Sequence, residues 1–245
     1  MTQEEVIVNS IAPLTNVALC ADALEQAMSR PGSLPGLVGF YGPSGYGKSF
    51  AAAYAANRYN AYHVACKKTW AAGAFLKNVL KEMGIKEKRI NSDMADQIAE
   101  QLSLSGRPLI IDEFDYMVAK GYEEIVRDIY EGSNAAILII GEEQLETNLA
   151  VNERFHNRIL KWVPAQPANY EDACLLRKVY CPDIEIGDDL LAKILKATKG
   201  CTRRLCVNLY NAHTFAINQG HSHVSLTEWG NQPIYTGRAP QRKVA

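Results

Sequence analysis

Strong net charge is missing from this chain. Its 26 Lys and Arg nearly balance 27 Asp and Glu, a formal net charge of -1 over 245 residues. No global field therefore draws it to nucleic acid or to an anionic membrane, and any such contact has to be local. Long apolar runs are also missing: nothing approaches the roughly 20 residues that span a bilayer. No N-terminal apolar run follows positive charge, as an export signal requires. The six cysteines (Cys20, Cys66, Cys174, Cys181, Cys201, Cys206) contain no C-x-x-C pair. The late grouping of Cys201, Cys206, His213, His221 and His223 fits no zinc spacing. Free cysteine then reads as a small core residue, and a reduced, cytoplasmic protein with no membrane partner is expected.

What is present is ordinary globular material, 47% hydrophobic and 22% charged, enough for one large domain or a large one with a small companion. Val17, Leu24 and Met28 recur at helical spacing before Pro31-Gly32, which predicts a helix over 14–30. LVGFYG at 37–42 reads as a strand, the alanine-rich SFAAAYAANRYN after it as a helix, and AYHVAC at 61–66 as a second strand. GAFLKNVLKEMG and SDMADQIAEQLS read as helices, the latter capped by Ser92. PLIID at 108–112 and AAILIIG at 135–141 are apolar runs with few polar alternations, the pattern of strands buried on both faces of a parallel sheet. From Ala165 onward only helical patterns appear, and PAQPAN at 164–169 is the linker signal. The expected architecture is an α/β nucleotide domain over 1–164, a small helical lid over 165–230, and a basic, disordered tail over 231–245 carrying Arg238, Arg242 and Lys243.

Chemistry concentrates in two places. Gly42-Pro43-Ser44-Gly45-Tyr46-Gly47-Lys48-Ser49 satisfies G-x-x-x-x-G-K-[ST] at every fixed position, between a predicted strand and a predicted helix that opens with Ser49-Phe50. Its glycines let backbone N–H groups turn toward phosphate oxygens and the helix offers its positive end. Lys48 reaches the terminal phosphates, and the Ser49 hydroxyl suits Mg2+. The second place is the strand Leu109-Ile110-Ile111, which delivers Asp112 and Glu113 to the carboxyl edge of the sheet, where ligands of open α/β sheets bind. Asp112 is the expected Mg2+ ligand and Glu113 the expected general base acting on water. Asp115 reads as a loop or cap residue.

These residues resemble the AAA+ ATPases, and more narrowly the transposition ATPases of the phage Mu B group. The likeness spans about residues 10–215 and rests on the phosphate loop, IIDEFDYM, ILIIGEEQL, NERFHNRILKWVPAQPA and GCTRRL. It implies an ATPase using ATP and Mg2+, completed by a neighbouring subunit's arginine finger. Arg154 or Arg158 occupies the matching place, Arg158 being favoured, and their spacing of four allows one helix face. It also implies that Arg203, in GCTRRL, touches phosphate from the lid. Where the family often has Asn or Thr after the fourth strand, IIGEE places Glu142, a carboxylate that could orient water but would repel the γ-phosphate unless paired. The phosphate loop begins about forty residues in, so a preceding helix-turn-helix DNA reader is not expected.

The resemblance further implies a homo-oligomer, ring or helical filament, that holds duplex DNA through its backbone and presents it to a transposase, in host cytoplasm if phage-encoded. Lys67, Lys68 and Thr69 follow the second strand and Lys120 follows the Asp112 strand, in loops expected to face DNA, with Arg204 a further candidate. An initiator or loader of replication, or a nucleotide-gated scaffold with weak hydrolysis, shares every one of these motifs.

Overall fold

Branched apolar residues dominate the predicted strands, and in the computed structural model, which describes residues 14–238, they form the centre of the fold. The described residues divide into two units: one comprises 16–44 and 48–165, the other 14–15, the loop tip Gly45–Gly47 and 166–238.

The first unit runs α1 (Thr15–Ser29), β1 (Leu37–Tyr41), α2 (Lys48–Arg58), β2 (Tyr62–Ala65), α3 (Ala72–Glu82), α4 (Asn91–Ser105), β3 (Leu109–Asp112), α5 (Asp115–Val118), α6 (Glu123–Ser133), β4 (Ile137–Gly141), α7 (Leu145–Ala150), α8 (Glu153–His156) and β5 (Ile159–Pro164). The five strands form one sheet in the order β2-β3-β4-β1-β5, with every pairing parallel. Leu109, Ile110, Ile111, Ile137, Leu138, Ile139 and Ile140 are all fully buried, because helices cover both faces, as a parallel sheet requires. Each such side chain contributes about 1.5–3 kcal/mol. Phe114 and Phe155, both fully buried, stack at 5.9 Å beneath the carboxyl edge. Gly39 lies so close to the Trp162 indole on the paired strand β5 that a Cβ there would overlap the ring.

The register aligns the strand ends that matter. Tyr41 pairs with Gly141 and Ala65 with Asp112, so the loops after β1, β2, β3 and β4 leave from one edge. Two details differ from the sequence reading. Strand β5 gave no strand signal because it is an edge strand with an irregular, half-exposed pattern that Lys161 interrupts. Helix α4 opens at Asn91 with Ile90 at the cap position and no side-chain capping bond, so Ser92 sits inside the first turn and is not the cap.

The second unit contains α9 (Tyr170–Tyr180), β6 (Glu185–Ile186), α10 (Asp188–Thr198), α11 (Thr202–Gln219), β7 (His223–Val224) and α12 (Leu226–Trp229). A capping box starts α9: Asn169 Oδ1 accepts from the Asp172 N–H at 2.8 Å, and Asp172 Oδ2 from the Asn169 N–H at 3.1 Å. Leu176, Leu190, Leu191, Ile194, Leu205, Leu209 and Ala212 form its interior. The helices-only expectation is corrected by β6 and β7, a parallel pair joining Glu185 to His223 and Ile186 to Val224. Two-residue strands carry no periodicity to read.

The tail expectation is corrected in part as well. Residues 231–238 are irregular yet held, because the fully buried Asn208 exchanges two bonds of 2.8 Å with the Tyr235 backbone. Arg242 and Lys243 lie outside the described residues.

Candidate nucleotide site

Between β1 and α2 the chain needs three glycines in backbone regions closed to other residues: Gly42 at φ 155°, Gly45 at 86° and Gly47 at 84°. Backbone of this kind, open to glycine, is what a phosphate-cradling loop needs for its N–H groups to turn toward an anion. Gly42 is buried, Pro43, Tyr46, Gly47 and Lys48 are half-buried, and Ser44, Ser49 and Phe50 are exposed. Lys48 opens α2 and folds back over the loop, its Nζ donating to the Gly42 carbonyl at 2.6 Å and the Pro43 carbonyl at 2.9 Å. Burial pulls the Lys48 ammonium below its usual 10.5, while Glu142, Asp112, Glu113 and Asp115 pull it back up. The ammonium therefore faces an acidic wall.

That wall stands on β3 and β4. Asp112 is 4% exposed at the end of β3, and its Oδ1 accepts from the Glu113 N–H at 2.8 Å. Glu113 sits at φ 56°, a left-handed conformation that costs a non-glycine residue about 1–3 kcal/mol and is retained where the surroundings impose it. Burial raises the Glu113 carboxyl above its usual 4.5, and Asp112 and Glu142 push the same way against Lys48.

Asp115, read from sequence as a loop or cap residue, opens α5 and also reaches across to β4. Its Oδ2 accepts from the Glu142 N–H at 2.7 Å. Burial raises its carboxyl above 3.8, with the backbone bond opposing. Gly141 permits the approach, since a Cβ there would fall on the Asp115 carboxylate. This was missed because the two partners are 27 residues apart; a glycine ending a buried strand opposite an aspartate was the available signal.

Pro43, Ser44, Glu113, Asp115, Tyr116, Glu142, Glu143 and Gln144 line a cleft of about 290 Å³. Glu142 thus lies in the cleft with its backbone fixed by Asp115. Among the described residues, no group of three or more His, Cys, Asp or Glu side chains is arranged to hold a metal by itself. One buried carboxylate and one hydroxyl, Asp112 and Ser49, instead fit Mg2+, which typically takes one or two protein oxygens and completes its shell with substrate phosphates and water.

The remaining candidates lie elsewhere. Arg203 is exposed at the start of α11, and its N–H donates to the Gly45 carbonyl at 2.9 Å within the second unit. Arg154 is exposed on α8, and its side chain makes no hydrogen bond or ion pair among the described residues. Arg158 lies beyond the end of that helix, capped at Asn157, so the two arginines do not share a helix face. Arg158 instead pairs with Glu131 at 2.9 Å. Lys67, Lys68 and Thr69 are exposed in the turn after β2, with Lys67 Nζ 5.8 Å from the Trp70 ring centroid. Lys120 Nζ donates to the Lys68 and Trp70 carbonyls at 2.7 and 2.6 Å, and Arg204 packs its guanidinium against Gly237.

Residues 33–149 match the family described as an AAA domain. The fold is an AAA+ P-loop fold. Among solved structures, Cdc6p from Pyrobaculum aerophilum aligns at TM-score 0.63 and 14% identity, over 85% of this chain and 62% of that one. The Aeropyrum pernix ORC1 protein in complex with DNA aligns at 0.62 and 15%, over 85% and 61%. Domain III of the Thermotoga maritima replication initiation protein DnaA aligns at 0.58 and 16%, over 90% and 92%. This chain thus spans about three fifths of the first two proteins. No curated protein sequence matches it. Among the described residues no helix is long and apolar enough to cross a membrane.

Proposed function

We propose that this chain binds ATP with Mg2+, hydrolyses it, and uses the nucleotide to control oligomers that hold duplex DNA by its backbone. The observation that carries the reading is the acidic wall at the carboxyl edge: buried Asp112, strained Glu113 and Lys48 all belong to one small constellation. Lys48 would meet the β- and γ-phosphates, and Asp112 and Ser49 would hold the Mg2+, which supplies charge neutralisation for phosphoryl transfer. Glu113, whose raised carboxyl holds its proton more readily than a free side chain, would orient the attacking water and accept its proton.

Glu142 takes the polar position after β4, and the Asp115 bond fixes its backbone. Arg203, tied to Gly45 through its amide, would reach phosphate from the helical part. Of the two finger candidates, Arg154 is unengaged, whereas Arg158 must first leave Glu131, a half-exposed pair worth little. Both remain assigned to a neighbouring subunit's site.

The resemblance of the five motifs to the Mu B group supports target selection and recruitment of a transposase as the biological role. A second reading, an initiator or loader of replication, is favoured by the structural likeness to Cdc6p, ORC1 and DnaA. Few cations per subunit imply weak binding by a monomer and strong binding by an assembly, since tethered sites act together. In a filter-retention assay with an ATP analogue and mixed-sequence duplex, Lys67→Ala/Lys68→Ala is expected to abolish retention while nucleotide binding persists. Retention equal to wild type across a salt titration refutes the DNA assignment. Stimulation of ATPase by a transposase, and not by a replicative helicase, separates the two roles.

A further inference from the structure

Lys120 differs from Lys67 and Lys68 because its ammonium is already engaged by two backbone carbonyls. Its Nζ donates to two carbonyls of one turn, Lys68 at 2.7 Å and Trp70 at 2.6 Å, about fifty residues away in sequence. That turn closes on itself through the Trp70 N–H and the Lys67 carbonyl at 2.9 Å, and the Lys67 ammonium lies over the Trp70 ring. At its other end, Lys120 belongs to the short segment that leaves the nucleotide site. The Tyr116 N–H donates to the Glu113 carbonyl, the Met117 N–H to Phe114 and the Lys120 N–H to Met117, with Phe114 and Met117 buried as anchors. One stiff segment therefore carries Glu113 at its start and Lys120 at its end.

We propose that Lys120 is a positioning residue: it does not touch DNA but latches the 67–70 turn to the segment bearing Glu113, so that the loop presenting Lys67 and Lys68 is held in register with the nucleotide site. This rests on the reading of the 67–70 turn as DNA-facing, and it revises the assignment of Lys120 as a phosphate contact. An ammonium with two of its three donors committed to carbonyls has little left for a phosphate. Lys67 and Lys68 have no such commitment and carry the contact.

The test pairs two readouts on the full chain. Hydrogen exchange without DNA reports the turn itself. Lys120→Met keeps the length of the side chain and removes the donors, and exchange at the Trp70 amide is expected to rise about tenfold, the scale of losing charge-assisted bonds at a partly exposed site. Duplex affinity is then measured against salt with an ATP analogue. Each phosphate contact contributes about 0.9 to the slope of log K on log salt. Lys67→Ala should lower the slope per subunit by about that amount. Lys120→Met should weaken binding several-fold at every salt concentration with the slope kept. A slope reduced by about 0.9 with Trp70 exchange unchanged makes Lys120 a direct phosphate contact and overturns the proposal, as does wild-type behaviour in both readouts. If the unmodified protein holds no duplex at all, the DNA reading fails, and the exchange result alone decides the latch.

Discussion

Replacing Gly45 by Ala tests the phosphate loop at the residue with least freedom. Gly45 sits at φ 86°, where a Cβ would also meet Cys201 Sγ at 2.9 Å and Arg203 Cβ at 3.3 Å. The backbone alone costs about 1–2 kcal/mol for a side chain in that region. Overpacking against Cys201, which is only 8% exposed, adds about 1–3 kcal/mol. Gly84 offers the matching control at φ 71° with nothing within 4 Å, so Gly84→Ala incurs the backbone cost without the collision. The loop can relieve the collision by shifting, which displaces the N–H groups meant for phosphate. The overpacking share should therefore appear as lost nucleotide affinity, about 5- to 150-fold at 1.4 kcal/mol per decade. Gly84→Ala should lower the thermal midpoint by a few degrees and leave affinity intact. Equilibrium titration with a fluorescent ATP analogue, beside a thermal melt of each variant, measures both. Affinity of Gly45→Ala within twofold of Gly84→Ala refutes the reasoning.

Glu113 and Asp115 hold protons more tightly in the folded chain than their ordinary 4.5 and 3.8 imply. Their stabilising contribution is full below those values and is lost as pH rises through the raised ones. The urea midpoint of nucleotide-free Glu113→Gln, relative to wild type, should accordingly climb as pH rises through the window above 4.5, and a flat or falling difference contradicts the burial argument. Asn208→Ala leaves the Tyr235 N–H and carbonyl without their partner, a loss of about 1–3 kcal/mol; faster tryptic cleavage after Arg238 and a lower melting midpoint are expected, and unchanged cleavage contradicts it. Gly39→Ala drives a methyl into the Trp162 ring, costing about 1–3 kcal/mol. A chemical-denaturation curve read by tryptophan fluorescence should show the loss, and a wild-type curve means that the ring moves freely.

What could be read from sequence was local chemistry. The strands β1 to β4 announce themselves because runs such as Leu109-Ile110-Ile111 are buried on both faces, and GPSGYGKS is legible because each fixed residue has its own reason to be there. What stayed hidden was set by partners distant along the chain. The Asp115 bond to the Glu142 N–H depends on Gly141 having no side chain. Lys120 looked like a free surface cation until the fold brought two carbonyls to it. Arg154 and Arg158 looked like one helix face until the helix ended at His156. The edge strand β5 and the two-residue strands β6 and β7 are pairings made by the fold, with too little periodicity of their own to foretell them.

Single-turnover hydrolysis of ATP with Mg2+, wild type against Glu113→Gln and with ATP affinity measured in parallel, goes most directly to the central claim. Loss of a general base is expected to slow the chemical step by about 10²- to 10⁴-fold while ATP still binds. Equal rates for the two proteins contradict the assignment of Glu113 and leave the acidic wall as a nucleotide-gated scaffold.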